Sequence, residues 1–261
     1  MAGKFVVVKI GGSTLGSHDT TLADLVTLQK QGTIPVVVHG GGKVISQWME
    51  RLGTAPSFIR GLRVTDGPTL EVVTAVLTGL VNKQLVASLI SLGAECVGMS
   101  GVDGGLLEAR IPDPKLGFVG EVVKVNPKPV FQALEAGYIP MVAPVGIHTI
   151  DGSPDSGVLL NINWDTAAGE IAWALEASNL IFLTDVEGVM DPSGRVLGRL
   201  TARQGRVLIS SGVIKSGMIP KVEACLRALE RVPQADIVDG RQPGALLGCL
   251  EGRHHGTRLV P

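Results

Sequence analysis

Cysteine is the first shortage in this chain. The three present, Cys96, Cys225 and Cys249, are scattered, odd in number and free of CxxC spacing or neighbouring histidines. That pattern predicts no zinc site or other metal centre and points to a reducing compartment, so a cytoplasmic setting is expected. Charge of one sign is also missing: the formal net charge is −1 and no basic block occurs. Nucleic acid and anionic membrane surfaces are therefore not expected partners, and any anion must be met by local groups. No charged-then-apolar leader opens the chain, and no apolar run approaches the roughly 18 residues of a membrane span. GxxxxGK[ST] and GxGxxG are both absent, which removes the P-loop and disfavours a dinucleotide fold.

What the chain does have is apolar residues, 45% of the total against 18% charged. At 261 residues this suffices for a full core, in one large domain or two lobes. Short runs rich in Val and Ile alternate with helical patterns. Strands are expected near 4–10, 34–39, 95–99, 139–145, 180–184 and 235–239. Helices are expected near 20–31, 43–52, 69–91, 128–137, 165–177 and 218–231. Such alternation predicts an α/β sandwich around a largely parallel sheet. The stretches 101–127 and 146–163, with many Gly, Pro and Asp, are expected to hold hairpins over one face. No repeat or linker interrupts the pattern, so a lobe boundary must fall within or just after the helix at 165–177.

Two strands run into glycine clusters. The first reads Lys9-Ile10-Gly11-Gly12-Ser13, the second Val38-His39-Gly40-Gly41-Gly42-Lys43. Ligands of open parallel sheets collect at the carboxyl ends of strands, where glycines let backbone N–H groups approach an anion. One cluster is what an ordinary strand-to-helix turn needs; two in consecutive β-α units are more. Lys9 follows a buried apolar run, and lysine is rarely buried without a partner, so it has either surfaced or faces something negative. The HGGG segment also resembles an esterase oxyanion hole, but its required GxSxG is absent; Gly98-Met99-Ser100-Gly101-Val102 fails at the last position.

Four further segments carry polar groups at strand or helix ends. Arg63, in Gly61-Leu62-Arg63-Val64-Thr65-Asp66, offers a planar fork to a carboxylate, although spacing alone favours a surface pair with Asp66. Asn161, Asn163 and Asp165 share one face if extended; one of them is expected to cap the following helix. Thr184 to Asp191 follows a buried strand and either rings a nucleotide or makes a turn. Lys221 falls in a first helical turn behind Pro220, where the helix dipole disfavours a cation; an anionic ligand or solvent exposure would each account for it.

In order along the chain, VVVKIGGS, VVVHGGGKVI, GLRVTD, LVNKQLV, GMSGVDGGLLEA, GFVGEV, AGYIPMVAPVG, LNINWDTAAGEIA, LIFLTDVEGVMD, GMIPKVEACLRAL and a closing GT-x-L resemble the amino acid kinase family. The resemblance implies a three-layer α-β-α sandwich around a central, largely parallel sheet, in two lobes. Residues 1–177 would bind an acyl amino acid and dimerise; 178–261 would bind ATP. The implied activity is phosphoryl transfer from ATP to the side-chain carboxylate of an N-acylated amino acid. HGGG and GLRVTD point to N-acetyl-L-glutamate rather than to carrier-bound aminoadipate, and a catalytically silent homologue is the reading from another class.

By matching position, Lys9 and Lys221 would be cations on the transferring phosphoryl group, with Asp165 holding them. Gly11 and Gly12 would donate N–H groups to phosphates. Gly41, Gly42, Arg63, Asn161 and Asn163 would bind the acyl amino acid, Arg63 through its α-carboxylate. Nucleotide would lie on Asp185, Val186, Glu187, Gly188, Val189 and Met190, and on Val213, Ile214 and Lys215, with Mg²⁺ carried by ATP. No histidine is needed as a base, and His39 reads as structural. No long helix precedes the first strand, so a homodimer without strong arginine feedback is expected. Trp164 departs from the small residue common at its position.

Overall fold

The computed structural model describes residues 5–11, 20–149, 156–253 and 255–261. The first half runs β1 (Val6–Ile10), α1 (Thr21–Lys30), β2 (Pro35–His39), α2 (Gly42–Arg51), β3 (Phe58–Ile59), β4 (Leu62–Arg63), α3 (Gly67–Thr74), α4 (Asn82–Ser91) and β5 (Cys96–Ser100). There follow β6 (Leu107–Arg110), β7 (Val119–Val125), α5 (Lys128–Glu135), β8 (Ile139–Ala143), β9 (Val145–His148), β10 (Leu159–Ile162) and α6 (Trp164–Leu175). The chain ends with β11 (Asn179–Thr184), β12 (Arg199–Thr201), α7 (Ala202–Ser210), α8 (Met218–Ala228), β13 (Ala235–Asp239), α9 (Ala245–Leu250) and β14 (Gly256–Val260). The six strands and six helices expected from hydrophobic patterning are all present. Six further elements, β3, β4, α7, α9, β12 and β14, are too short or too polar for that pattern to mark.

Eight strands form one sheet in the order β12-β14-β13-β11-β1-β2-β8-β5, parallel except where β14 runs against β13. The central position of β1 explains its unbroken apolar run: a strand with helices on both faces has no side to leave polar. Period-two alternation then sorts its residues. Val6, Val8 and Ile10 join the core beneath α1, α3, α4 and α9, while Val7 joins the core beneath α5, α6 and α8. Lys9 has the parity of Val7 and so points toward α6 and α8.

The two glycine-rich stretches do more than form hairpins. β6 and β7 pair antiparallel as expected, but β10 pairs in parallel with β7 and antiparallel with β9, and β6 pairs with β9. The result is a closed four-stranded barrel that leaves no free edge.

α3 and α4 are joined through a π-helical segment, Ala75–Val81, into one continuous helix, Gly67–Ser91. That helix is long and apolar enough by length and composition to cross a bilayer, which inspection of apolar runs alone does not reveal. Val73, Leu77, Leu85 and Leu89 are instead buried against the sheet. Within the π turn, Leu77 presses on the second glycine cluster; a Cβ on Gly41 would lie 2.6 Å from its Cδ2. π turns of this kind often mark functional sites.

Candidate active site

The site is assembled at the carboxyl ends of β1, β2 and β11. Asn163 caps α6, its Oδ1 accepting from the backbone N–H groups of Asp165 and Thr166 at 2.9 and 3.1 Å. Among the three polar residues of NINWD it is thus the cap. Asp165, in the first turn, is buried, and the positive end of α6 favours its carboxylate.

Close packing of α6 on α8 brings a second lysine to that carboxylate. A Cβ on Gly169 would lie 2.8 Å from the Ala224 carbonyl, so only glycine lets the two helices approach this far. Lys221 then donates to Asp165 Oδ2 at 3.1 Å and to the Gly217 carbonyl at 3.1 Å. The Lys9 ammonium lies 3.0 Å from Oδ1 of the same carboxylate, an ion contact outside hydrogen-bond angles. Two cations from opposite ends of the chain therefore meet on one anion. Burial pushes the Lys9 ammonium below the ordinary lysine value, and the neighbouring Lys221 adds to this, while Asp165 and Asp185 oppose it.

Beside this cluster lies a pocket of about 390 Å³, lined by Gly42, Ser46, Phe58, Arg63, Asn161 and Trp164 among others. The expected pair between Arg63 and Asp66 is not formed. Asp66 instead caps α3 through the Thr69 N–H at 2.9 Å, a local bond that competes for its carboxylate. Arg63 is 8% exposed and donates to Gly42 O, Ser46 Oγ and Met49 Sδ, with Phe58 under its guanidinium at 4.8 Å. No carboxylate pairs with it among the described residues, and burial pushes its pKa down. A buried guanidinium of this kind is arranged to receive an anion from outside. Asn161 donates from Nδ2 to Thr65 Oγ1 at 3.0 Å.

Ser46 and Phe58 were not among the expected site residues. Ser46 lies four residues after Gly42, on the same face of α2, and that spacing is the signal that marks it. Phe58 reaches Arg63 only because β3 and β4 form a hairpin, which two-residue strands do not announce in the sequence.

His39 is buried, with Nδ1 2.9 Å from the Gly40 carbonyl and Nε2 3.1 Å from Asn82 Nδ2. Burial lowers its pKa to about 4, so it is neutral at physiological pH. These partners assign the proton to Nδ1 and make the ring a brace between β2 and α4. Asn82 also reaches Met141 O, and a Cβ on Gly98 would lie 2.0 Å from its Oδ1. Ser100 Oγ bonds Asp103, with no histidine bonded to it among the described residues, which counts against the esterase reading.

Of the residues expected at nucleotide, Asp185, Val186, Glu187 and Met190 are exposed in a turn after β11, and Lys215 is exposed after α7. Val189 and Ile214 point into the core, so only their backbone can face a ligand. A Cβ on Gly188, at φ +154°, would lie 2.7 Å from Thr257 Oγ1. The Gly11 N–H is 3.4 Å from the Leu183 carbonyl, a weak bond. Gly12 and Ser13 lie outside the described residues. A larger cleft of about 650 Å³ shares Glu187 with this segment but contains neither lysine nor Asp165.

A fold of this topology, with paired lysines on a shared aspartate beside an anion pocket, defines a small-molecule phosphotransferase. The sequence profile of the amino acid kinase family matches residues 4–239, and the chain belongs to that family. An acetylglutamate kinase of Dehalococcoides mccartyi (strain CBDB1) is 44% identical over 98% of this chain and 94% of its own length. One from Cereibacter sphaeroides (strain ATCC 17029 / ATH 2.4.9) is 46% identical over 94% and 84%. Among solved structures, a protein of Streptococcus mutans UA159 superposes with a TM-score of 0.83 at 31% identity, covering 98% of both chains.

Proposed function

We propose that this enzyme transfers the γ-phosphoryl group of ATP to the side-chain carboxylate of N-acetyl-L-glutamate, giving N-acetyl-L-glutamyl 5-phosphate and ADP, a step of arginine biosynthesis. The observation that carries this reading is the joint presence of two charge-neutralising lysines and, next to them, a buried arginine with no carboxylate partner among the described residues. The acceptor carboxylate is already ionised near neutral pH, so the site needs no general base. Its oxygen attacks the γ-phosphorus as the bond to the ADP oxygen breaks. Lys9 and Lys221 stabilise the charge spread over the migrating group, and Asp165 fixes both ammonium groups in place. Asp165 is a positioning residue, in contact with both ammonium groups.

Arg63 takes the α-carboxylate, Gly41 and Gly42 line the loop beneath the substrate, and Asn161 meets the acetamido group. Asn163 lines the same pocket while its Oδ1 holds the helix cap. The nucleotide rests on Asp185 to Met190 and Val213 to Lys215, with Gly11 and Gly12 at its phosphates. These segments carry two exposed carboxylates, Asp185 and Glu187, with the exposed Lys215 and backbone groups, and Mg²⁺ arrives on the nucleotide. In this scheme 1–177 is the acyl amino acid lobe and 178–261 the nucleotide lobe. The boundary divides Lys9 and Asp165 from Lys221, so lobe closure adjusts the phosphoryl gap.

The working unit is a homodimer in the cytoplasm. Ile90 and Leu92, 54% and 47% exposed at the end of the apolar helix, supply a surface for a second copy. Three free, buried cysteines suit a reducing compartment. The test of function is ATP with N-acetyl-L-glutamate and hydroxylamine trapping of the acyl phosphate, against carrier-bound aminoadipate and free glutamate. Hydroxamate from N-acetyl-L-glutamate alone supports the assignment; hydroxamate only from the carrier-bound substrate, or none at all, refutes it.

A further inference from the structure

Trp164 occupies a position that neither the phosphoryl chemistry nor the helix cap requires. It is the first residue of α6, between the capping Asn163 and the bridging Asp165. Both neighbours are fixed, one by its cap bonds and the other by two lysines, which fixes the backbone from which the indole projects. Its ring lies across the second glycine cluster. Cβ positions built on Gly42 and Gly40 would fall 2.9 and 3.5 Å from it. The Lys9 ammonium sits 5.6 Å from the ring centroid, and the same indole lines the pocket that contains Arg63.

We infer that Trp164 sets the length of substrate the pocket accepts, the indole forming a rigid wall between the Arg63 end and the Lys9 end. The inference rests on the function proposed above and concerns which acyl amino acid that site takes. A substrate carboxylate at Arg63 and a second at the lysines are tied to two fixed cationic ends. The methylenes between them must run along the wall. A chain one methylene longer must bulge into it, and the indole is backed by glycine backbone that leaves it no room to retreat. A misfit of one methylene in such a pocket is worth about 10- to 200-fold in discrimination.

The test measures kcat/KM for N-acetyl-L-glutamate and for N-acetyl-L-2-aminoadipate, one methylene longer, in the full-length wild type, Trp164→Ala and Trp164→Phe. The wild type should prefer the shorter substrate at least tenfold, and Trp164→Ala should narrow that ratio about tenfold or more. Trp164→Phe, which keeps a flat ring, should stay near the wild-type ratio. If Trp164→Ala does not fold by circular dichroism, Trp164→Leu carries the same comparison and should also narrow the ratio. A ratio unchanged within twofold in the folded small-residue variant overturns the inference while leaving the kinase assignment intact. A wild type inactive on N-acetyl-L-glutamate overturns that assignment, and the inference with it.

Discussion

Lys9 and Asp165 form an ion pair almost sealed from water, 3.0 Å apart with side chains 4% and 2% exposed. Desolvating both ions is expensive, and replacing such a pair with apolar groups would often be neutral or stabilising. Its retention beside a third charged group, Lys221, supports the proposal that charge here serves chemistry rather than stability.

Removing the shared anion should therefore be costly twice over. Asp165→Asn leaves a buried ammonium without its counter-ion, which costs about 3–5 kcal/mol when a buried pair is broken. It also frees both lysines from their fixed positions, so kcat should fall about 100-fold or more. Urea unfolding and the hydroxamate assay read the two effects separately. Wild-type turnover in a folded Asp165→Asn would remove Asp165 from its positioning role.

If Lys9 acts as proposed, its lowered pKa should set the alkaline limit of activity. Lys9 must be protonated to act, so kcat/KM should fall as pH rises through a midpoint below the ordinary 10.5. Lys221→Ala should cut kcat by roughly 100- to 1,000-fold. It should also move that limb to higher pH, because a neighbouring cation no longer repels the Lys9 proton. An unmoved limb would show that the limiting group is not Lys9. For stability the sign is opposite: the unfolded chain holds this proton more tightly, so stability rises with pH between the lowered value and 10.5.

Arg63→Ala should raise KM for the acyl amino acid, with a smaller change in kcat, because it removes a contact made in the ground state as well as the transition state. Lysine should not substitute, since it lacks the planar fork that Ser46 and Gly42 hold in place. Steady-state kinetics with the second substrate varied decide it; a pure kcat effect would contradict the role.

Acid should weaken the protein through His39. Its folded pKa of about 4 lies below the ordinary 6.5, so the unfolded chain binds the proton first as pH falls. The stability that the neutral ring contributes above 6.5 should be lost progressively down to about pH 4, to the extent of about 3 kcal/mol. Urea titrations of wild type and His39→Gln between pH 4 and 7 test this; equal slopes would exclude the histidine as the cause.

The glycine loop and the indole should be energetically coupled. Gly42→Ala places a methyl group within 2.9 Å of Trp164 and should impair substrate binding severely. The same change on a Trp164→Ala background should be milder, giving a clear interaction energy in a double-mutant cycle on kcat/KM. Additive losses would mean that the loop tolerates the methyl by moving elsewhere.

Much of this was legible in the sequence, for definite reasons. β1 and β11 show themselves because strands buried on both faces are continuous apolar runs, and α6 because Asn163 caps an apolar pattern. The convergence of Lys9, Asp165 and Lys221 was reached only through the family resemblance. Ion contacts between residues this distant depend on how closely α6 and α8 approach, which Gly169 and Ala224 decide without a periodic signal. Barrel closure was likewise hidden, since strand pairing between β10 and β7 is set in three dimensions rather than by local pattern. Arg63 shows the limit of spacing arguments: Asp66 is close in sequence but spent on a helix cap.

The most direct test is a crystal structure of the enzyme with ADP, N-acetyl-L-glutamate and aluminium fluoride, a mimic of the phosphoryl group in transit. The Nζ atoms of Lys9 and Lys221 should both lie about 3 Å from the fluoride ligands, with Asp165 still touching both lysines and Arg63 on the substrate α-carboxylate. A fluoride group bound away from either ammonium, in a closed and fully liganded site, would contradict the account.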